Sequence, residues 1–175
     1  LLDESVYTKP LPDSLKYVFR PPIRSTQDKY LLWEAMADGT VAVISTDHCP
    51  FNTFGQKDIG IHDFTKIPNG AGGIENRLTL LYTYGVSTRK ISLQQFVGLT
   101  STNAARIFDL YPKKGAIEVG SDADLVIWNP NAKSVISVET QLQKCDSNIY
   151  QGMIINGEAE YVLNRGGVVR EPDLK

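Results

Sequence analysis

The apolar, largely β-branched run Val41-Ala42-Val43-Ile44 passes directly into Ser45-Thr46-Asp47-His48-Cys49-Pro50. A carboxylate, an imidazole and a thiol in three consecutive positions offer proton transfer or metal ligation. Pro50 has no N–H to give to a ladder, so it closes the run. In a parallel α/β protein, rigid strands deliver side chains to the active face at their C-terminal ends. Asp47 is therefore the first candidate both for catalysis and for holding a metal. The chain has only two histidines, His48 and His62, too few for the metal site such a strand would serve. The pattern is that of part of an enzyme, with one essential residue present and most of the others missing. If the backbone stays extended, Asp47 and Cys49 point one way and His48 the other. His48 then reads as a packed or hydrogen-bonded support, Cys49 as a buried structural thiol, and His62 as a solvated loop residue.

Elements that would position these groups can be read on either side. A short strand is expected at 16–19, stopped by Pro21-Pro22. Ser25-Thr26-Gln27-Asp28 has a helix cap and an acid three residues on. That helix should run to about Asp38, with Leu32, Ala35 and Met36 inward and Gly39 as its stop. A strand at 41–45 follows, giving the αβ half of a repeating βα unit. Residues 49–73 lack periodicity and form a long loop, a common place for function. Asn69 before Gly70 is on its own a turn residue. The glycines at 70, 72 and 73 lack both a preceding strand and the Lys-Ser/Thr end of a phosphate loop.

Beyond the loop, Ile74 opens a helix with Ile74, Leu78 and Leu81 on one face and Glu75 in its first turn. Ser92-Leu93-Gln94-Gln95 is a capping-box pattern for another, with Phe96, Val97 and Thr100 on one side. Thr102 should cap a third, to about Leu110. Short strands are then expected at 115–120, at 124–128 (closed by Asn129-Pro130), and at 152–156, 160–164 and 168–170, the last two joined by Arg165-Gly166-Gly167. Asp122 and Asp124 belong to a turn, not to an acid/base pair. Trp33 and Trp128 read as core or interface. The chain is α/β to about 112 and all-β beyond, and its strands want partners it does not contain.

The composition is ordinary and globular: 175 residues, 42% hydrophobic and 22% charged, with a net charge of −2. That charge argues against binding nucleic acid through bulk electrostatics. There is no membrane-spanning run and no signal-peptide pattern. The two cysteines, Cys49 and Cys145, form no framework, so a reducing cytoplasm is the expected compartment. Starting at Leu1-Leu2-Asp3 without a methionine, the chain looks cut from something longer.

With the elements in place, the chain resembles the C-terminal portion of the dihydropyrimidinases and hydantoinases, cyclic amidases of the amidohydrolase superfamily. The resemblance rests on Leu2-Asp3-Glu4-Ser5, Lys16-Tyr17-Val18 with Pro21-Pro22, and Thr46-Asp47-His48-Cys49-Pro50-Phe51-Asn52. It continues through Gly55-Gln56-Lys57, Lys66-Ile67-Pro68-Asn69-Gly70 and the stretch from Gly115 to Val126 that contains Gly120-Ser121-Asp122-Ala123-Asp124. The fold it implies is α/β: residues 1–112 the C-terminal part of a (β/α)8 TIM-like metal-dependent hydrolase barrel, and residues 113–175 part of a β-sandwich domain. On that mapping the 41–45 strand is the eighth of the barrel, with Asp47 at its end as metal ligand and proton shuttle.

The resemblance further implies two divalent ions, usually zinc, sharing a hydroxide that attacks the ring amide carbon. Asp47 takes the proton and returns it to the leaving nitrogen, opening the ring to an N-carbamoyl amino acid. The family's other ligands are a His-x-His pair, a carboxylated lysine and two further histidines, none of which is found in this sequence. Substrate recognition uses main-chain groups of a serine before Pro-Pro and of the asparagine in Pro-Asn-Gly. Asn69 matches the second; Arg20 stands in place of the first, and its bulk and charge would narrow or redirect the pocket. The implied partner is a small cyclic ureide, with no nucleic acid and no membrane, in a homotetramer. The alternatives are a non-catalytic homologue acting as an oligomeric scaffold, or a related amidase such as allantoinase or dihydroorotase, which the Cys49-Pro50-Phe51-Asn52 run fits less well.

Overall fold

Ser25 and Asp28 complete each other's hydrogen bonding at a helix start. In the computed structural model, which describes residues 1–172, the Ser25 hydroxyl accepts from the Asp28 N–H, and the Asp28 carboxylate accepts from the Ser25 N–H and hydroxyl. This is the capping box expected from the sequence, with aspartate in place of glutamate. Helix α1 spans Thr26–Ala37 and stops at Gly39, whose φ of 87° only glycine adopts freely. Its buried side chain is Trp33, with Ala35 and Met36 half-buried. Leu32, expected inward, is 58% exposed beside the equally uncovered Tyr30 and Leu31. The face of α1 that carries them has no cover among the described residues.

Ser92 behaves as its pattern predicts. Its hydroxyl accepts from the Gln95 N–H, the Gln95 side chain accepts from the Ser92 N–H, and α3 (Leu93–Val97) follows. Phe96 is buried but Val97 is exposed. A π-turn at Gly98–Thr102 leads straight into α4, Asn103–Ile107. Thr102 thus does not cap; its backbone is helical and its hydroxyl donates to the Gly115 carbonyl. The helix expected from Ile74 begins later. Helix α2 covers Arg77–Leu81 and passes into a π-turn at Tyr82–Val86. Ile74 is exposed, and Glu75 accepts from the Leu142 and Gln143 N–H groups instead of sitting in a first helical turn.

The largest departures concern strands. Residues 16–19 are not a strand: a 3₁₀ turn at Asp13–Tyr17 occupies the first half of the segment. Residues 41–47 form no ladder, and their apolar positions are at best half-buried; Ile44 N–H donates to Leu99 O. Residues 115–120 are also unpaired, with Ile117 and Val119 fully open to solvent. The cause is common to all three, because a strand exists only against a neighbour.

Where neighbours exist, one three-stranded sheet forms, ordered β1-β2-β3. Strand β1 is Leu125–Val135, β2 is Ile154–Asn164 and β3 is Gly167–Arg170. Asn129-Pro130 does not end β1, which runs through it, as an edge strand can. The two strands expected at 152–156 and 160–164 are one. Strands β2 and β3 pair antiparallel, closed at Asn164–Gly167 by Arg165 and Gly166, both at positive φ, the two-residue hairpin geometry.

The described residues divide into two units. The first contains residues 1–33, 46–77 and 135–154. Its core is Val6, Tyr17 and Ile149, with Leu2, Phe19, Ile23, Ala71 and Tyr150 packed against them. The second takes 34–45, 78–134 and the chain from Ile155 onward. It is centred on Tyr82, Phe96 and Trp128, with ring centroids 5.0–6.1 Å apart. Gly157 lies so close to Tyr82 and Trp128 that a Cβ there would come within 2.6 Å of the indole nitrogen. Asp122, expected in a turn, is held by Lys113 and Lys114. These lysines lower its pKa to about 2.

Leu80 has 2% of its surface exposed. Leu80→Ala should therefore lower the unfolding free energy by about 2–5 kcal/mol. Ser92→Ala, which removes one cap, should cost about 1 kcal/mol. Urea unfolding of the two variants will show the difference as a larger shift in midpoint for Leu80→Ala.

Candidate functional site

The candidate residues from the sequence all fall in the first unit. Asp47 is exposed, at the end of the unpaired 41–46 segment, with φ of 45°. This left-handed backbone breaks the alternation expected of an extended run. Aspartate is among the few residues that take it readily. His48 forms a one-residue parallel bridge to Ala71, and Cys49 N–H donates to Ala71 O. The His48 Nδ1 accepts from the N–H groups of Gly73, at 3.1 Å, and Ile74, at 3.3 Å. His48 is thus hydrogen-bonded support, as expected. Cys49, expected to be buried, is exposed, because the loop carrying it lies at the surface. His62 is exposed.

Asn69 is exposed, and its side chain reaches only the Ile67 carbonyl, at 3.4 Å. Next to it, Gly70 is enclosed: a Cβ would meet Cys49 O at 2.3 Å and the Phe51 ring at 2.8 Å. No larger residue fits there without moving Cys49 or Phe51. Gly70 N–H donates to Val18 O. Arg20, two residues further along, is exposed and joined to Pro21 by a cis peptide bond. The segments bearing Arg20, Asp47 and Asn69 are therefore laced together through the backbone at Val18, Cys49, Gly70 and Ala71. Among the described residues no hydrogen bond or ion pair joins the three side chains themselves.

Lys57 is the feature that sequence reasoning missed. It is 1% exposed, and its ammonium donates to Val18 O at 2.8 Å and Pro68 O at 3.0 Å. The Phe51 ring centroid lies 5.7 Å away. No carboxylate among the described residues pairs with it. Burial accordingly lowers its pKa from 10.5 to about 8. The signal available in sequence was a lysine inside the Gly-Gln-Lys motif of the long 49–73 loop. Two carboxylates in the same unit also bind backbone. Asp146 accepts from Thr53 and Phe54 N–H, and Glu75 accepts as described above.

Nothing here makes a complete metal site. Among the described residues no three His, Cys, Asp or Glu side chains gather to hold an ion. Asp47 offers one carboxylate, and the Nδ1 of His48 is already occupied by two amides. A metal pair does not fit this chain alone.

Residues 20–169 match the amidohydrolase family. The chain belongs to the amidohydrolase family. Among the amidohydrolases it resembles, a D-hydantoinase of Geobacillus stearothermophilus is 45% identical over 97% of this chain and 36% of its own length. A dihydropyrimidinase of Rattus norvegicus is 46% identical over 89% of this chain and 30% of its own length. The structure of a D-hydantoinase from a Bacillus species superimposes with a TM-score of 0.95 at 48% identity, over 97% of this chain and 37% of that one. The chain thus spans about a third of the length of the curated relatives it matches. The family and its structural neighbours imply a barrel-containing fold, of which the described residues hold one small sheet. No described helix is long and apolar enough to cross a membrane.

Two outcomes follow for the supporting residues. His48→Ala leaves the Gly73 and Ile74 amides without their acceptor, which should cost about 1–3 kcal/mol and speed hydrogen exchange at both amides. For Lys57 the folded-state pKa lies below the unfolded one. The protein therefore binds fewer protons folded than unfolded between about pH 8 and 10.5, and its stability contribution rises across that window. Unfolding free energy against pH should show this rise in the wild type and not in Lys57→Met.

Proposed function

We propose that the complete protein is a metal-dependent cyclic amidase that opens dihydropyrimidine or hydantoin rings to N-carbamoyl amino acids. The observation that carries the reading is the 45–48% identity to hydantoinases over 97% of the chain. The scaffold and allantoinase alternatives are not favoured, since the relatives described above carry hydantoinase and dihydropyrimidinase names. In this reading residues 1–112 contribute the last strands and helices of a (β/α)8 barrel, and 113–175 contribute strands of a β-sandwich. The assembly is a homotetramer in the cytoplasm.

Within that frame Asp47 is the catalytic carboxylate and a metal ligand, exposed at the end of the 41–46 segment. It accepts a proton from the attacking water and donates it to the ring nitrogen as the C–N bond breaks. Zinc ions, held chiefly by residues outside this chain, would supply Lewis acidity. The main chain of Asn69 and the residue at Arg20 face the substrate. A cyclic ureide presents alternating N–H and C=O groups along one edge, and main-chain groups are suited to reading that pattern. Arginine at position 20 adds bulk and a fixed positive charge beside it.

Metal analysis and hydrolysis of hydantoin and dihydrouracil by the full-length subunit test this reading. Bound divalent metal and turnover are expected, with a loss of at least about a hundredfold in kcat for Asp47→Ala. A folded parent with neither metal nor activity would sink the proposal. Arg20→Ser should lower KM for hydantoins with bulky ring substituents, and an unchanged preference would remove Arg20 from the pocket. The 175-residue chain alone should show no metal-dependent turnover, since one carboxylate cannot hold two ions.

A further inference from the structure

We infer that Lys57 is a positioning residue that fixes the spacing between the two substrate-facing segments, those carrying Arg20 and Asn69. The inference rests on the cyclic-ureide reading above and goes beyond it. Its geometry is specific. The Lys57 side chain comes from the loop after Asp47 and crosses to two carbonyls, Val18 O and Pro68 O. Pro68 immediately precedes Asn69, and Val18 stands two residues before Arg20. The Val18 carbonyl also receives the Gly70 N–H, at 3.2 Å. One ammonium and one amide thus join the two segments, and the Phe51 ring lies beside the ammonium.

The base of Lys57 is fixed as well. Its N–H donates to Asn52 O, and the Gln56 side chain accepts from the Asn52 N–H at 2.5 Å. The loop that starts at Asp47 therefore sets where the ammonium sits, and the ammonium sets where the two carbonyls sit.

The chemistry explains why a lysine occupies a 1% exposed position. Two converging carbonyls need donors, and an ammonium offers three in a compact head. An apolar side chain would take the donor from the Pro68 oxygen and leave the Val18 oxygen with the Gly70 N–H alone. Arginine keeps the charge but is longer and planar, so it would hold the carbonyls at a different separation. A substrate read by main-chain groups of two separate segments is sensitive to their spacing, so the effect belongs in KM more than in kcat.

The test uses the full-length subunit with Lys57→Met and Lys57→Arg, and Leu80→Ala as a destabilised control from the other unit. Hydrogen exchange in peptides spanning 17–22 and 66–71 should accelerate about tenfold in Lys57→Met. KM for hydantoin should rise about tenfold, kcat should fall less than about threefold, and bound metal should be unchanged. Lys57→Arg should show the same KM effect in smaller measure, and it carries the test if Lys57→Met does not fold. Leu80→Ala should lower stability and keep KM. An unchanged KM in an active, folded Lys57 variant overturns the positioning role, whatever the change in stability. A wild type that hydrolyses no cyclic ureide overturns the functional reading, and the substrate role of Lys57 with it.

Discussion

A backbone amide or carbonyl shielded from water costs about 1–3 kcal/mol when it finds no partner, and ladders are the usual way to meet that demand. Among the described residues the first unit has little of it: the ends of β1 and β2 with the backbone bonds of Ile136 to Gly152 and Met153, and an isolated bridge between His48 and Ala71. Four side chains take the place of the missing ladder. His48 accepts from two amides, Glu75 from two and Asp146 from two, while Lys57 donates to two carbonyls. Each reaches at least one segment far away in the chain. The arrangement of the loops around Asp47 therefore depends on ionisable groups holding backbone, and only secondarily on apolar packing.

The second unit solves the same problem differently. Its helical segments contain π-turns, and some of their backbone carbonyls accept from side chains. Threonine hydroxyls donate to them: Thr83 to Thr79 O and Thr100 to Phe96 O, at 2.6 and 2.7 Å. The Thr83 hydroxyl also accepts from the Asn156 N–H, tying the π-turn to β2. Here the aromatic trio supplies the burial, and the hydroxyls adjust the backbone to fit it.

What could be read in the sequence divides along the same line. The caps at Ser25 and Ser92, the stop at Gly39 and the hairpin at Arg165-Gly166 were legible because their partners lie within four residues. The strands at 41–45 and 115–120 were not realised, because β-branched residues specify a strand only when another strand lies alongside. Pro130 was misread as a terminator because its tolerance depends on β1 being an edge. Asp47 and Asn69 are candidates through motifs, a role the structure leaves as a proposal, whereas the burial of Lys57 was not legible. Its burial is set by carbonyls 39 and 11 residues away, and no local pattern encodes that meeting. The aspartates at 122 and 124, read as turn residues, are held by Lys113 and Lys114, close in sequence.

The positive φ of Asp47 has an evolutionary consequence. Left-handed backbone costs most L-residues about 1–2 kcal/mol, and glycine, asparagine and aspartate are the ones that occupy it routinely. Selection for folding alone therefore admits Asn or Gly at this position nearly as well as Asp. It disfavours Glu, the one other residue that would keep the negative charge. A lineage released from catalysis could drift to a neutral residue here by one nucleotide change, with little penalty in stability. On the role proposed for Asp47, the carboxylate is maintained by chemistry alone, and its presence or absence in a descendant would record whether that chemistry is still under selection.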